Sequence, residues 1–408
     1  MKKFLRNALI VLALLAAGAA IYYGPSAVRV YHMIHLYDED QIAHNFLNMR
    51  TVFPVSMTAA PSHTFAFKHT PRALPETFEF DGVTHSTAEY LDYSRTTGIL
   101  VLKNDAIVHE EYRLGHHEDG HHISWSVAKS FVSAMVGIAL EEELFASIED
   151  PITDYLPEFA GTGYDGVRIK DILEMSSGVG FNEDYGDFYS DINRFSRIIA
   201  IGGSMAEFAK TLERARPPGT YHHYVSIDTQ VLGILLRKVT GVPIAEYLQK
   251  KIWQPLGMEH DAHWLLDSTG MEVALGGLNA SMRDYARFGL LYLNEGRWDD
   301  TQVVPRDWVR DSTTPDGAHL ETGKDNPASS LSWGYGYQWW IPNPDLGDYT
   351  AAGIYNQYIY VNPAARVVIV KTSANHRYTA ERQESKDLHI AMFRAIAQEF
   401  IDPLPPVE

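Results

Sequence analysis

The sequence predicts an α/β + α fold: an antiparallel sheet assembled from both chain ends, flanked by helices, with an all-helical subdomain inserted between its strands. Three observations carry this. Strand-like apolar runs separated by turn residues occur at 99–112 and again at 358–371. Helical periodicity dominates from about 141 to 269. A further helical stretch, Asp387–Phe400, closes the chain. At 408 residues, 45% apolar and 12% aromatic, the chain can bury a large core.

Lys2, Lys3 and Arg6 precede a charge-free run, Ala8–Gly24. A basic flank before an apolar run is the pattern of a membrane anchor or a signal peptide, and Ala17-Gly18-Ala19 offers a small-residue cleavage site. We expect residues 1–25 to be an uncleaved anchor, since the apolar run continues past that site. The basic flank then stays inside, which places the catalytic domain in a bacterial periplasm, held at the inner membrane, or secreted if the segment is cleaved. Residues 26–75, with Pro54, Pro61, Pro71 and Pro75, read as a connector that partly packs on the main domain.

The main domain is expected over 76–405, its α/β part about 76–140 and 270–405 and its helical part about 141–269. Ser86-Thr87-Ala88-Glu89 has capping-box spacing and predicts a helix to about Thr96. Ile99–Lys103 and Ala106–Tyr112, joined by Asn104-Asp105, predict a β-hairpin. A His-rich polar loop and a helix over Ser126–Leu140 follow. Val231–Val239 and Ile244–Ile252 predict helices broken at Gly241 and Pro243. Arg283–Leu293 predicts another. Tyr358–Val361 and Arg366–Lys371, around Asn362-Pro363-Ala364-Ala365, predict a second hairpin.

Composition narrows the function. Acidic residues outnumber basic ones 52 to 34, and the net charge of −18 argues against a nucleic-acid partner. There is no cysteine, which excludes disulfides, thiol catalysis and Cys-based zinc sites. The motifs call for no cofactor or metal, and oligomeric state is not encoded in any pattern.

The informative motif is Ser126-Val127-Ala128-Lys129. Residues three apart on a helix share a face, so the amine can reach the hydroxyl. The first turn of the helix also presents unpaired N–H groups. Nucleophile, base and anion-stabilising dipole therefore meet, as acyl transfer requires. Tyr224 is a candidate proton shuttle, on the expectation that a neighbouring Lys ammonium favours its phenolate.

These segments resemble the serine β-lactamase and penicillin-binding protein superfamily over roughly residues 80 to 400. Ser126-x-x-Lys129 resembles its first motif. Pro218-Gly219-Thr220 followed by Tyr224-Val225-Ser226-Ile227-Asp228 resembles the second, in the Tyr-x-Ser form of the 6-aminohexanoate-dimer hydrolase branch. Asp150-Pro151, Ile172–Gly178 and Gly276–Ala280 resemble segments flanking the substrate loop. The resemblance implies a β-lactamase/transpeptidase-like fold, Ser126 as nucleophile, Lys129 as base and Tyr224 as proton donor to the leaving group. It also implies an oxyanion hole from the Ser126 and Ile354 N–H groups. Substrate contacts are implied for Tyr185, Ser226, Asn279 and Gly353. The third motif departs from the family. Lys371-Thr372-Ser373 looks like a decoy, and Ala351–Gln357 is the better match for the strand beside the site. Losing the motif's Lys removes the usual carboxylate anchor.

The leading expectation is a serine hydrolase that cleaves an amide or ester of a small-molecule substrate through an acyl-enzyme. A β-lactamase or D-alanyl peptidase is the alternative within that chemistry. A non-catalytic, membrane-tethered binding protein on the same fold is another. His117-Glu118-Asp119-Gly120-His121 matches the His-Glu-x-x-His zinc pattern, but Asp-Gly in its centre is a turn signal. Gly-x-Ser-x-Gly is absent, so an α/β-hydrolase elbow is not supported.

Overall fold

The computed structural model describes residues 2–401. Residues 402–405 of the expected domain lie outside the described residues. Eight strands form the main sheet: β1 Lys68–His69, β2 Thr96–Lys103, β3 Ala106–Tyr112, β4 Gly334–Tyr335, β5 Trp340–Asn343, β6 Asp348–Gly353, β7 Gln357–Asn362 and β8 Val367–Ser373. Their order is β4-β5-β6-β7-β8-β2-β3-β1, antiparallel throughout except for β1 beside β3. The two chain ends meet in the middle, where Val370 on β8 faces Ile359 on β7 and Leu100 on β2.

Six helices matter for the site: α1 Lys2–Ile34, α2 Ala128–Glu141, α3 Asp191–Ile201, α4 Ser226–Thr240, α5 Met282–Leu293 and α6 Tyr378–Gln398. Alternation along β7 sorts the two faces of the sheet. Tyr358 meets Phe393 of α6 edge to face and Tyr360 meets it at a tilt, while Ile359 meets α5 on the other side. The approach of α5 is close. A Cβ at Gly289 would come within 2.5 Å of Val368 Cγ1, so only glycine fits there.

Both expected hairpins are present, the first turning at Asn104 with φ +54°. Ser86 caps its helix by accepting the Glu89 N–H. Two elements differ from expectation. The segment 351–357 is two strands rather than one: β6 ends at Gly353, and Tyr355 and Asn356, with φ +62° and +68°, fold the chain back into β7. The last helix starts at Tyr378 because its polar first half makes good helix without an apolar stripe.

The helical insertion also contributes a strand, Ala262–Leu265. With Val55–Thr58, Leu278–Ala280 and His122–Ile123 it forms a second, four-stranded antiparallel sheet. Residues 26–75 are therefore structural. Leu36, Ile42, Phe46, Met49 and Phe53 are all buried in the core.

The expected membrane anchor is corrected. Among the described residues, no helix is long and apolar enough to cross a membrane. The reason lies in composition and length: Ala8–Gly24 is rich in alanine and glycine and falls short of the ~20 strongly apolar residues a span needs. The helix then runs on through Arg29 to Ile34, and its far end packs against α3. Tethering through a membrane-spanning N-terminal helix, and the anchored localisation that rested on it, are withdrawn.

Candidate active site

Ser126 sits in a single 3-10 turn, Trp125–Val127, that leads into α2. Trp125 adopts φ +45°, a costly conformation for a bulky residue, and it is held by aromatic contacts with Phe46 and Tyr355. One turn on, Lys129 is 1% exposed. Its Nζ donates to Ser126 Oγ at 3.0 Å and to the Leu275 carbonyl at 2.6 Å. It also lies 5.4 Å from the centre of the Tyr224 ring. Burial brings the ammonium down to about 7, against the opposing pull of Glu183 and Asp228.

Tyr224 precedes α4 and stacks on Trp340 of β5, with ring centres 5.2 Å apart. Here the expectation of a phenolate fails. Burial, and then the Glu183 carboxylate, push the phenol well above its ordinary range, so Tyr224 stays protonated. The Ser126 and Ser226 side chains oppose this shift without overturning it.

Strand β6 runs up to the turn that carries Ser126. A Cβ on Gly353 would lie 2.6 Å from the Ser124 carbonyl and 3.1 Å from the Ser126 nitrogen. Gly353 is thus what lets the strand end approach the serine, and the next residue, Ile354, lines the pocket beside Ser126.

The remaining expected substrate residues divide. Tyr185 lies in the pocket, but its hydroxyl donates to Glu183 Oε1 at 2.6 Å. Ser226 is buried and engaged: its N–H and hydroxyl reach Glu183 at 3.1 and 2.5 Å. Asn279 lies apart from the other expected residues. It sits buried in the second sheet, donates to the Gly277 carbonyl at 2.9 Å, and lines neither cavity beside Ser126.

One charged residue, Lys386, was missed, and another, Glu183, was expected only within the acidic cluster 183–187, read as a receptor for an amine-bearing substrate. Glu183 sits at the N-terminus of α4, where the helix dipole favours a carboxylate, and links Tyr185 to Ser226. The sequence showed it only as one acid among several at 183–187. Lys386 on α6 reaches the same pocket, with Nζ 4.9 Å from the Trp340 ring centre and 5.8 Å from that of Trp333. The pocket therefore has a cation, supplied by a helix rather than by the family's strand motif. Lys371 is buried on β8 and turned to Ser373.

The His117–His121 segment is a turn closed by the Gly120 N–H on the His117 carbonyl. Its Glu118 pairs with Arg283 and its Asp119 with His260. Among the described residues, no three His, Asp or Glu side chains are grouped to hold a metal ion. His222 is buried beside Ser329, and His223 lines the pocket and reaches the Phe181 carbonyl.

A Ser-x-x-Lys pair at a helix start, a Tyr over the Lys, and a glycine-ended strand against the serine define a serine-hydrolase fold of the β-lactamase kind. The chain belongs to the beta-lactamase family, whose profile matches residues 88–391. It is 31% identical over 291 residues to the 6-aminohexanoate-dimer hydrolase of Paenarthrobacter ureafaciens, covering 70% of this chain and 74% of that protein. The solved structure "Putative 6-aminohexanoate-dimer hydrolase from Bacillus anthracis" superposes with a TM-score of 0.80 at 26% identity, covering 89% of this chain and 95% of the other. The Escherichia coli K12 "Putative D-alanyl-D-alanine carboxypeptidase" is 24% identical over 212 residues, and the match spans 46% of this chain and 48% of that relative.

Proposed function

We propose that this protein hydrolyses an amide or ester bond of a small substrate through an acyl-enzyme on Ser126. The observation that carries this is the Lys129 amine, 3.0 Å from the Ser126 hydroxyl and brought by burial to about 7. A neutral amine at that distance is a base matched to neutral pH.

Lys129 accepts the Ser126 proton as Oγ bonds to the substrate carbonyl carbon. The Ser126 and Ile354 N–H groups hold the oxyanion. Collapse breaks the bond to the leaving nitrogen or oxygen, which takes a proton from Tyr224, and Lys129 restores that proton. Water then attacks the acyl-enzyme, giving its OH to the acyl carbon and its proton, through the same relay, to Ser126. Similarity to a 6-aminohexanoate-dimer hydrolase supports an amide or ester of a small substrate. The basic and apolar start of the chain supports export, to be checked by fractionation with N-terminal sequencing.

The test is intact-protein mass after incubation with a fluorophosphonate, beside Ser126→Ala and Lys129→Ala. One adduct on the wild type and none on either variant is the expected result. No adduct on folded wild-type protein overturns the assignment.

A further inference from the structure

Ser126 stands where two cavities meet, one lined by charged side chains and one not. One, of about 160 Å³, is walled by Met33, Leu36, Phe53, Phe195, Ile199 and Leu275, and no charged side chain lines it. The other, of about 330 Å³, holds Glu183, His223, Tyr224, Trp340 and Lys386. Ser126, Tyr185 and Ile354 border both.

Tyr224 fixes the direction of the substrate, because it lines the charged cavity and not the uncharged one. The group it protonates leaves on its own side, so the acyl chain lies in the uncharged cavity. Size limits that chain. A dry cavity of ~150 Å³ admits a benzene-sized group, about six carbons. Charge limits it too, because an ionised end buried there would lose its hydration without a partner.

The charged cavity selects in the opposite sense. Glu183 is already engaged by the Ser226 N–H and by the hydroxyls of Ser226 and Tyr185. Lys386 rests over two indole rings and, among the described residues, makes no ion pair with a carboxylate. Its ammonium is the group in this cavity available to a carboxylate on the departing half. Met33, Leu36 and Phe53 precede residue 88, where the family match begins, while Phe195, Ile199 and Leu275 lie within it.

We propose that the substrate is an anionic amine or alcohol acylated with an uncharged chain of about six carbons, the chain seated against residues 33–53 and the anion on Lys386. This rests on the Ser126 reading above. For an N-acyl amino acid, the Ser126 Oγ–C bond forms and the C–N bond breaks. The nitrogen gains the relayed proton, the amino acid leaves, and water releases the fatty acid.

The experiment measures kcat/KM for N-acylglycines of two to ten carbons, and for N-hexanoylglycinamide. A rise of about fourfold per methylene to six carbons, then a fall, is expected. Met33→Trp shifts the optimum shorter and Ile199→Ala shifts it longer. Lys386→Met cuts the preference for N-hexanoylglycine over its amide at least tenfold, chiefly through KM. A flat chain-length profile, no preference for the carboxylate, or no N-acylglycine hydrolysis by enzyme that takes up the fluorophosphonate overturns the substrate class alone. Enzyme that neither labels nor turns over any ester overturns the Ser126 reading as well.

Discussion

Lys129 is a cation placed where a cation is costly, and two measurements follow. For kcat/KM on a neutral ester, the rate rises about tenfold per pH unit below about 7 and levels above it, as the amine loses its proton. Between about 7 and its ordinary 10.5 the folded Lys129 is neutral while the unfolded one is charged. The unfolded chain therefore binds the extra proton, and stability rises with pH across that window. Lys129→Met is expected to raise the melting temperature more at pH 6 than at pH 9, while lowering kcat about 10²–10⁴-fold. Glu183 acts through its charge, which favours the Lys129 ammonium. Glu183→Gln should shift the acid limb of the rate profile to lower pH, and an unmoved limb would refute that coupling. Ser126, Lys129 and Tyr224 were legible because helix spacing and one short motif group them. Glu183 and Lys386 were not, because only tertiary packing distinguishes them from other surface-type charges. The placement of Asn279 was not legible for the converse reason: it lies in a short, fully buried strand, where its side chain bonds to backbone.

Among the elements, the contact between the end of β6 and the turn before α2 sets the spacing of the site. Gly353→Ala would drive a methyl group into the Ser124 carbonyl, which is backbone and cannot swing aside. Relieving that clash costs about 1–3 kcal/mol and moves Ile354 away from Ser126. We expect acylation to fall at least tenfold with a lowered melting temperature, measured by burst kinetics and calorimetry. Both hairpins and the core of most helices were readable, since turn residues and apolar periods are local signals. The break at Tyr355-Asn356 was not, because Tyr is an uncommon left-handed residue and nothing before it announces a turn. The start of α6 was missed because its first two turns are held by helix propensity and ion pairs such as Arg377–Glu381.

For the molecule as a whole, the N-terminal region divides near residue 30. Every described side chain from Lys3 to Ala17 is exposed, so deleting residues 2–17 is expected to leave the melting temperature and esterase rate unchanged. Deleting through residue 53 removes Leu36, Ile42, Phe46, Met49 and Phe53 from the core. At about 1.5–3 kcal/mol each, their loss rivals the whole stability of a typical domain, and no cooperative unfolding transition should remain. The composite sheet has a consequence for synthesis. Its middle is sealed only when β8 pairs with β2, and Val370 lies 270 residues after its partner Leu100. At ~5–20 residues per second, the ribosome needs roughly 13 to 54 s to bridge that gap. Ser126 and Lys129 emerge early in that interval, Ile354 comes near its end, and Lys386 follows it. A nascent chain thus carries Ser126 through most of that interval without the strand end and the helix that complete the candidate site.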